Sequence, residues 1–186
     1  MTYECLFTVY LENPEVCSPI TDRKIKLGRD NQSGLILKQL RVLGSRPIPL
    51  TTNFFCKFKL ATKHNTDGII AVIQSLAFRK NEHTGECIDF IQFKSKNGNL
   101  SPRFCGTYKA EHIMDTIFVE STTLPQAINN TFIDTSGELS VNIFVSLEPT
   151  EENLDMEIAF TSFQSTLSNV SPLVCFRYVI HFRLRV

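Results

Sequence analysis

Apolar and polar residues alternate along several short segments of this chain, and this alternation restricts the fold more than any other feature. In "ELSVNIFVSL" one face is entirely apolar, formed by Leu139, Val141, Ile143, Val145 and Leu147. The residues between them are polar, with Phe144 as the exception. A period of two is typical of a half-buried β-strand, because successive side chains of a strand point to opposite faces.

Further segments show the same pattern. "MEIAFTSF" alternates, and "FFCKFKLA" places Cys56 and Phe58 opposite Lys57 and Lys59. "IIAVIQSLAF" is continuously apolar, which fits a strand covered on both faces or a short buried helix, and its β-branched residues favour the strand. Turn-rich pieces such as "KHNTDG", "KNEHTGE" and "DTSGE" separate these segments. The pattern predicts an all-β fold, an antiparallel sandwich or barrel.

The length and charge of the chain restrict the classes of protein to which it could belong. The 186 residues suffice for one domain with a sizeable core. Lys and Arg number 19, as do Asp and Glu, so overall charge recruits neither nucleic acid nor an anionic membrane. No run approaches the roughly 20 apolar residues that cross a bilayer. The beginning, "MTYECLFTVYLENPEVC", is a poor signal peptide, which indicates either a cytosolic protein or a chain whose precursor starts earlier.

Six cysteines lie at positions 5, 17, 56, 87, 105 and 175. An even count allows three disulfide bridges, although six free thiols in an intracellular protein fit the count as well. C-x-x-C is absent from the sequence, and the four histidines lie far apart, so we expect neither a redox centre nor a sequence-local zinc site.

The order of the strands and cysteines resembles a CUB domain, an extracellular β-sandwich module. "SRPIPLTTNFFCKFKLA", "IIAVIQSLAF", "CIDFIQF", "RFCG", "LSVNIFVS" and "MEIAFTSF" follow one another as in that family. The resemblance implies an antiparallel jelly-roll-like sandwich over residues 45–164. Residues 1–44 then form an N-terminal segment with strand-like pieces, whose packing on the domain stays open, and residues 165–186 form a C-terminal extension or an extra strand.

The resemblance also implies how the cysteines pair. Cys87 would bond to Cys105, and Cys56 to an upstream cysteine, for which Cys17 is the best candidate. Cys5 and Cys175 are left over and would bridge to each other if their terminal segments meet. The loop closed by Cys87 and Cys105 is worth about 3 kcal/mol in the chain-entropy account.

Some CUB domains bind calcium through an acidic trio, and this chain has only part of that trio. Asp89 matches one member, whereas the other two positions hold Arg79 and Leu147. Glu82 and Glu148 lie a few residues away and could substitute if the local alignment shifts. A cation beside Arg79 is electrostatically disfavoured, so we expect no cofactor and retain Asp89 as the sole candidate for a calcium ligand.

The other sequence motifs give no indication of a catalytic site. Asn31 and Asn129 stand in N-glycosylation sequons that lack a following proline, and these sequons matter only in a secretory compartment. Motifs of hydrolases, phosphate-binding loops and metalloproteases are absent from the sequence, and the neighbours Glu82–His83 and Glu111–His112 do not by themselves make a catalytic pair.

We therefore expect a secreted, non-catalytic module that binds another extracellular protein or a glycan. Loops at one end of the sandwich, with Asp89 and "KSKNGNLSP", are the expected surface. Two alternatives stay open: a fragment of a larger secreted protease or receptor, and an intracellular β-sandwich with free thiols. The tail "LVCFRYVIHFRLRV" places Arg177, Arg183 and Arg185 on one face, which suits either a solvated surface or a binding role.

Overall fold

The computed structural model describes residues 6–11, 13, 15–17, 23–27, 34–38, 53–64, 67–109, 118–119, 130–146 and 155–164. The strands within these ranges are numbered in chain order: β1 Leu6–Tyr10, β2 Arg23–Leu27, β3 Gly34–Lys38, β4 Phe54–Thr62, β5 Asp67–Phe78, β6 Phe90–Ser95, β7 Phe104–Lys109, β8 Phe118–Val119, β9 Thr131–Asp134, β10 Glu138–Val145 and β11 Asp155–Gln164.

The strands form two sheets that are continuous through β7. The first sheet has the order β1-β3-β11-β5-β7, with β9 also paired to β5. The second has the order β6-β10-β4-β2, and β7 joins it through the pair Ile91 and Phe104 and also pairs β8. The expected all-β sandwich is therefore confirmed, and the continuously apolar segment "IIAVIQSLAF" is part of a strand.

Two edge pairs differ from the antiparallel arrangement expected from the sequence. β1 runs parallel to β3, and β2 runs parallel to β4. Parallel neighbours need a crossover connection, and here the intervening strand lies in the opposite sheet: β2 separates β1 from β3 along the chain, and β3 separates β2 from β4. The described strands of residues 1–44 thus belong to both sheets of one sandwich: β1 and β2 are edge strands, and β3 lies between β1 and β11.

Three phenylalanines hold the two sheets together. Phe58 on β4 and Phe93 on β6 face Phe160 on β11, and all three are buried. The Phe160 ring lies edge-on to both, at centroid distances of 6.5 and 6.2 Å. Edge-to-face rings add to the apolar area that they remove from water. This aromatic centre fixes which face of each sheet points inward.

The alternation read from the sequence is visible in β10. Leu139, Val141, Ile143 and Val145 are buried between the sheets, and the intervening residues, including Phe144, lie half-buried on the outer face. Phe144 is therefore an apolar residue on the outer face, and it belongs to an aromatic row described below. Within the described ranges, there is no helix whose length and apolar character would let it span a bilayer.

Candidate interaction site

Asp89 is the sequence-predicted site residue that the structure describes most fully. It lies directly before β6 and is completely buried. Arg79, directly after β5, forms a bidentate ion pair with it: Nε is 2.6 Å from Oδ2 and Nη2 is 2.7 Å from Oδ1. Charge-assisted bonds of this forked kind are among the strongest in proteins.

Backbone groups complete the surroundings of this carboxylate. The N–H of Arg79 donates to Oδ2 at 3.1 Å, and the N–H of Ser146 donates to Oδ1 at 2.8 Å. The Arg79 guanidinium also donates to the carbonyl of Ser146 at 2.8 Å. We call these three residues the arginine clamp. The clamp ties the end of β5 in the first sheet to the start of β6 and the end of β10 in the second.

These residues do not fit a calcium site. A carboxylate offers about four acceptor positions, and four N–H donors already engage Asp89. Calcium needs six to eight oxygen ligands, but the Ser146 carbonyl beside this carboxylate also accepts from the guanidinium. Arg79 thus occupies the position of the cation. Among the described residues, no group of three His, Cys, Asp or Glu side chains could hold a metal ion.

Two disulfide bridges lie within the described residues, and they join pairs that the resemblance implies. Cys17 is bonded to Cys56 on β4, and Cys87 to Cys105 on β7. The second bridge lies beside the arginine clamp, because Cys87 is two residues before Asp89. Cys87 also pairs with Lys80 across a turn, and both Ile88 and Asp89 donate backbone N–H groups to the Arg79 carbonyl. The bridge and the clamp therefore fix the same corner of the sandwich.

The neighbouring acidic and histidine side chains lie apart from the clamp. Glu82 is on the exposed turn after Lys80, with its carboxylate 3.4 Å from the Lys80 Nζ. His83 is exposed on the same turn, where Asn81 Oδ1 accepts its backbone N–H. Glu82 therefore serves as an exposed ion-pair partner in this structure and contributes nothing to the surroundings of Asp89.

The loop "KSKNGNLSP" lies beside β6. The backbone N–H of Ser95 donates to the Asn99 carbonyl, and the N–H of Ser101 donates to the Phe93 carbonyl. Lys94 and Leu100 form a bridge across this turn. The turn contains Gly98, whose φ of +90° is typical of glycine. The loop expected to bind a partner thus extends the second sheet past β6.

An aromatic row crosses the outer face of the second sheet. Phe55 on β4 is paired in register with Phe144 on β10, which is paired with Phe90 on β6. The rings of Phe90 and Phe144 stack with centroids 5.4 Å apart, and the Arg103 guanidinium carbon lies 4.4 Å from the Phe90 centroid. Phe55 is 49% exposed. Apolar residues in such a position contribute little to the core, so they indicate a contact surface.

Basic side chains lie beside the aromatic row on the same outer face. One row across the sheet contains Lys24, Lys59, Ser140 and Lys94, from β2, β4, β10 and β6. Lys57 lies on one side of this row, and Lys26 and Lys96 lie on the other. The basic face, as we name it, consists of these cations with Arg103: Lys24, Lys26, Lys57, Lys59, Lys94, Lys96 and Arg103. Glu138 is the one acidic residue on the described outer face of these strands.

Lysines of the basic face lower the pKa of Glu138. A hydrogen bond from Lys24 Nζ, 2.8 Å from Oε2, lowers the pKa of Glu138 below its ordinary value. Coulombic attraction by Lys24, Lys96 and Lys59 lowers this pKa further, and partial burial opposes the effect. Cations from three neighbouring segments therefore act on one carboxylate.

Sequence reasoning singled out Asp89 and the loop but missed the basic face. Lys57 and Lys59 were visible as the polar side of β4. Lys24, Lys26, Lys94 and Lys96 join them only through strand pairing, above all the parallel pairing of β2 with β4. Cys5, Cys175, Asn31, Asn129, Leu147, Glu148 and the C-terminal arginines lie outside the described residues.

No protein-family model matches the sequence, and no curated protein matches it. Solved structures that are similar to the chain include extracellular regions of three proteins. The CUB1-EGF-CUB2 domains of rat MASP-1 share 10% identity at a TM-score of 0.45, with 75% of this chain and 42% of that chain covered. The CUB1-EGF-CUB2 domain of human MASP-1/3 shares 11% identity at a TM-score of 0.47, with coverage of 74% and 41%.

The full extracellular region of zebrafish Gpr126/Adgrg6 shares 14% identity at a TM-score of 0.43, with coverage of 76% and 15%. The chain therefore spans less than half the length of each of these structures. The likeness is one of fold, at an identity that does not extend to activity or partners.

Proposed function

We propose that this chain is a non-catalytic interaction module of the extracellular space. The observation that carries the proposal is the basic face, where seven cations and three phenylalanines lie together on the outside of one sheet. A sheet face that contacts only water needs no row of phenylalanines. The formal net charge of the whole chain is zero, so the excess of positive charge on this face is local. Contact with a partner accounts for both features.

An extracellular location is supported by the two disulfide bridges. Such bridges form and persist in oxidising compartments and are rare in the cytosol. Cys56 and Cys105 are buried in the core, so these bridges are part of the packed sandwich. Glycans on Asn31 and Asn129 belong to the same proposal, as does a third bridge between Cys5 and Cys175.

The proposed module works without calcium. The guanidinium of Arg79 provides, from within the chain, the positive charge that a metal ion would bring to Asp89. The proposed contact with a partner is made through the outer face of the second sheet.

The location is tested by mass spectrometry of non-reduced peptides from cell-expressed protein. We expect Cys87 linked to Cys105 and Cys17 linked to Cys56 in material recovered from the medium. Free thiols at these four positions in protein isolated from intact cells would support an intracellular protein and contradict the proposal.

Binding is tested with two matched variants of the full chain. The face variant carries Lys57→Gln, Lys59→Gln and Lys94→Gln, and the control variant carries Lys38→Gln, Lys80→Gln and Lys109→Gln, which lie outside the basic face. Both lose three positive charges. With fluorescent, oligomerised protein on a panel of cultured animal cells, we expect wild type and control to stain cells and the face variant to lose most of the signal. Equal staining by both variants would reject the basic face as the binding surface.

A further inference from the structure

The cations of the basic face form a grid of regular spacing. Neighbouring strands lie about 4.8 Å apart, so the row from Lys94 on β6 to Lys24 on β2, three strand intervals away, spans about 14 Å at the backbone. Lys57 and Lys59 are two residues apart on one face of β4, which separates their backbones by about 6.7 Å. The positive charge is thus spread evenly over a broad surface.

We propose that the basic face binds a sulfated glycan chain, and this inference rests on the proposed function. Six of the seven cations are lysines, whose ammonium groups are point charges on flexible stems. Such groups suit a linear polymer with many repeated sulfates, whereas recognition of one carboxylate in fixed geometry favours the arginine fork. The partner is anionic because the described outer face holds seven cations and one carboxylate.

The aromatic row favours a saccharide over another polyanion. Phe55, Phe144 and Phe90 lie beside the lysine grid, and Phe55 is 49% exposed. Aromatic faces carry negative quadrupole charge, which attracts the weakly positive C–H groups of a pyranose ring. The sulfates of one chain would contact the lysines while its sugar rings lie against Phe55. A simple charged polymer such as polyglutamate makes use of the lysines alone.

The loop that extends the second sheet lengthens this surface. Leu100 is exposed beside Lys94, and the exposed Asn97 and Asn99 offer amides at the same edge. Amide groups hydrogen-bond sugar hydroxyls and sulfate oxygens. The pKa of Glu138, lowered by the surrounding lysines, is consistent with a positive potential over the grid.

The experiment measures the affinity of the full chain for immobilised heparin, fully desulfated heparin and polyglutamate of matched length. We expect wild type to bind heparin at physiological salt, to bind desulfated heparin far more weakly, and to release heparin as salt rises. The face variant should bind heparin at least about tenfold more weakly with a shallower salt dependence, because fewer counterions are released. The control variant should stay within about twofold of wild type, since its lysines lie elsewhere.

A further variant, Phe55→Ser, separates sugar contact from charge. It should weaken heparin binding while leaving the salt dependence unchanged, because no cation is lost. Equal wild-type affinity for polyglutamate and heparin would overturn the glycan assignment in favour of an acidic protein. Equal loss by the face and control variants, or no heparin binding by wild type, would overturn it as well.

Removal of sulfated glycans from cells separates this inference from the proposed function. Heparin-degrading and chondroitin-degrading enzymes, applied together, should abolish cell staining by wild type. Staining that persists after this treatment but still requires the basic face would retain the interaction module and reject the sulfated partner. Staining that never requires the basic face would reject both.

Discussion

The guanidinium of Arg79 and the carboxylate of Asp89 form a buried, bidentate ion pair, with 2.6 Å between Nε and Oδ2. Asp89 is fully buried, and 9% of the Arg79 side chain is exposed. Two charges withdrawn from water are stable only when each satisfies the other's hydrogen bonds. The pair therefore links the ends of three strands and, at the same time, makes the stability of this corner depend on both partners.

Replacement of Arg79 tests this dependence. Arg79→Met should lower the free energy of unfolding by about 3–5 kcal/mol, because it leaves the Asp89 carboxylate buried without its counter-charge. Lys80→Met is the matched control, since Lys80 pairs with the exposed Glu82 and an exposed pair contributes at most about 1 kcal/mol. Urea unfolding followed by circular dichroism measures both. Similar losses in the free energy of unfolding for the two variants would show that the arginine clamp stabilises the protein no more than an exposed ion pair does.

The clamp also predicts that calcium has no effect on wild-type stability. A ligand that binds only the folded state raises the free energy of unfolding by RT ln(1 + [L]/Kd), where [L] is the concentration of free ligand. Because Arg79 fills the cation position at Asp89, unfolding curves in millimolar calcium and in a chelator should coincide. A calcium-dependent rise in the midpoint, abolished by Asp89→Asn, would show that the metal displaces the guanidinium.

The Cys17–Cys56 and Cys87–Cys105 disulfides should contribute unequally to the free energy of unfolding. Cys17 and Cys56 are separated by 39 residues and Cys87 and Cys105 by 18. In the chain-entropy account, the bridges restrict the unfolded chain by about 4 and about 3 kcal/mol respectively. Paired alanine substitutions of each bridge should therefore destabilise the protein in that order in guanidinium unfolding. The reverse order would mean that packing around the sulfurs, and not loop closure, determines the difference.

Alternation along β10 and β4 was sufficient to predict an all-β fold and its buried faces. It could not determine register, because the residue that lies opposite Lys59 depends on contacts between distant segments. Leu27 pairs with Thr62 in a parallel arrangement, which no local pattern encodes. The strands of residues 1–44 therefore joined the sandwich at positions that sequence reasoning left open.

The same limitation applies to the candidate site. Arg79 was recognised as an obstacle to calcium from its position, but its ion pair with Asp89 needs the ends of β5 and β6 to meet. Phe144 was an unexplained exception to alternation until register placed it between Phe55 and Phe90. Local sequence thus located individual residues, whereas pairing of strands determined their partners.

Gly137, in the turn between β9 and β10, and Gly98, in the loop after β6, offer a matched pair of glycine substitutions. Gly137 has φ of +73°, and a Cβ there would lie 2.7 Å from Thr62 Oγ1 and 2.8 Å from the Asp67 carbonyl oxygen. Gly98 has φ of +90° with no atom within 4 Å of its would-be Cβ. Gly98→Ala should cost about 1 kcal/mol from backbone strain alone, and Gly137→Ala about 1–3 kcal/mol more from overpacking. Equal costs in urea unfolding would contradict the close approach at Gly137.

The ion pair of Glu138 with Lys24 predicts a pH dependence of stability. The hydrogen bond from Lys24 lowers the pKa of Glu138 in the folded protein. In the unfolded chain the pKa of a glutamate side chain is about 4.3. The unfolded state therefore binds the proton more readily, and the stabilisation is present above the unfolded pKa and lost as pH falls through the folded pKa. Because the pair is partly exposed, the loss should not exceed about 1 kcal/mol.

Carbon-detected NMR titration of the Glu138 carboxylate and urea unfolding between pH 2 and 7 measure this directly. Lys24→Gln should raise the pKa of Glu138 towards its ordinary value, since it removes the largest cause of the shift. Glu138→Gln should remove this component of the pH dependence and leave the stability below the folded pKa nearly unchanged. A carboxylate that titrates identically in wild type and Lys24→Gln would show that the lysine beside it does not hold its charge, and would weaken the case for a positive field over the basic face.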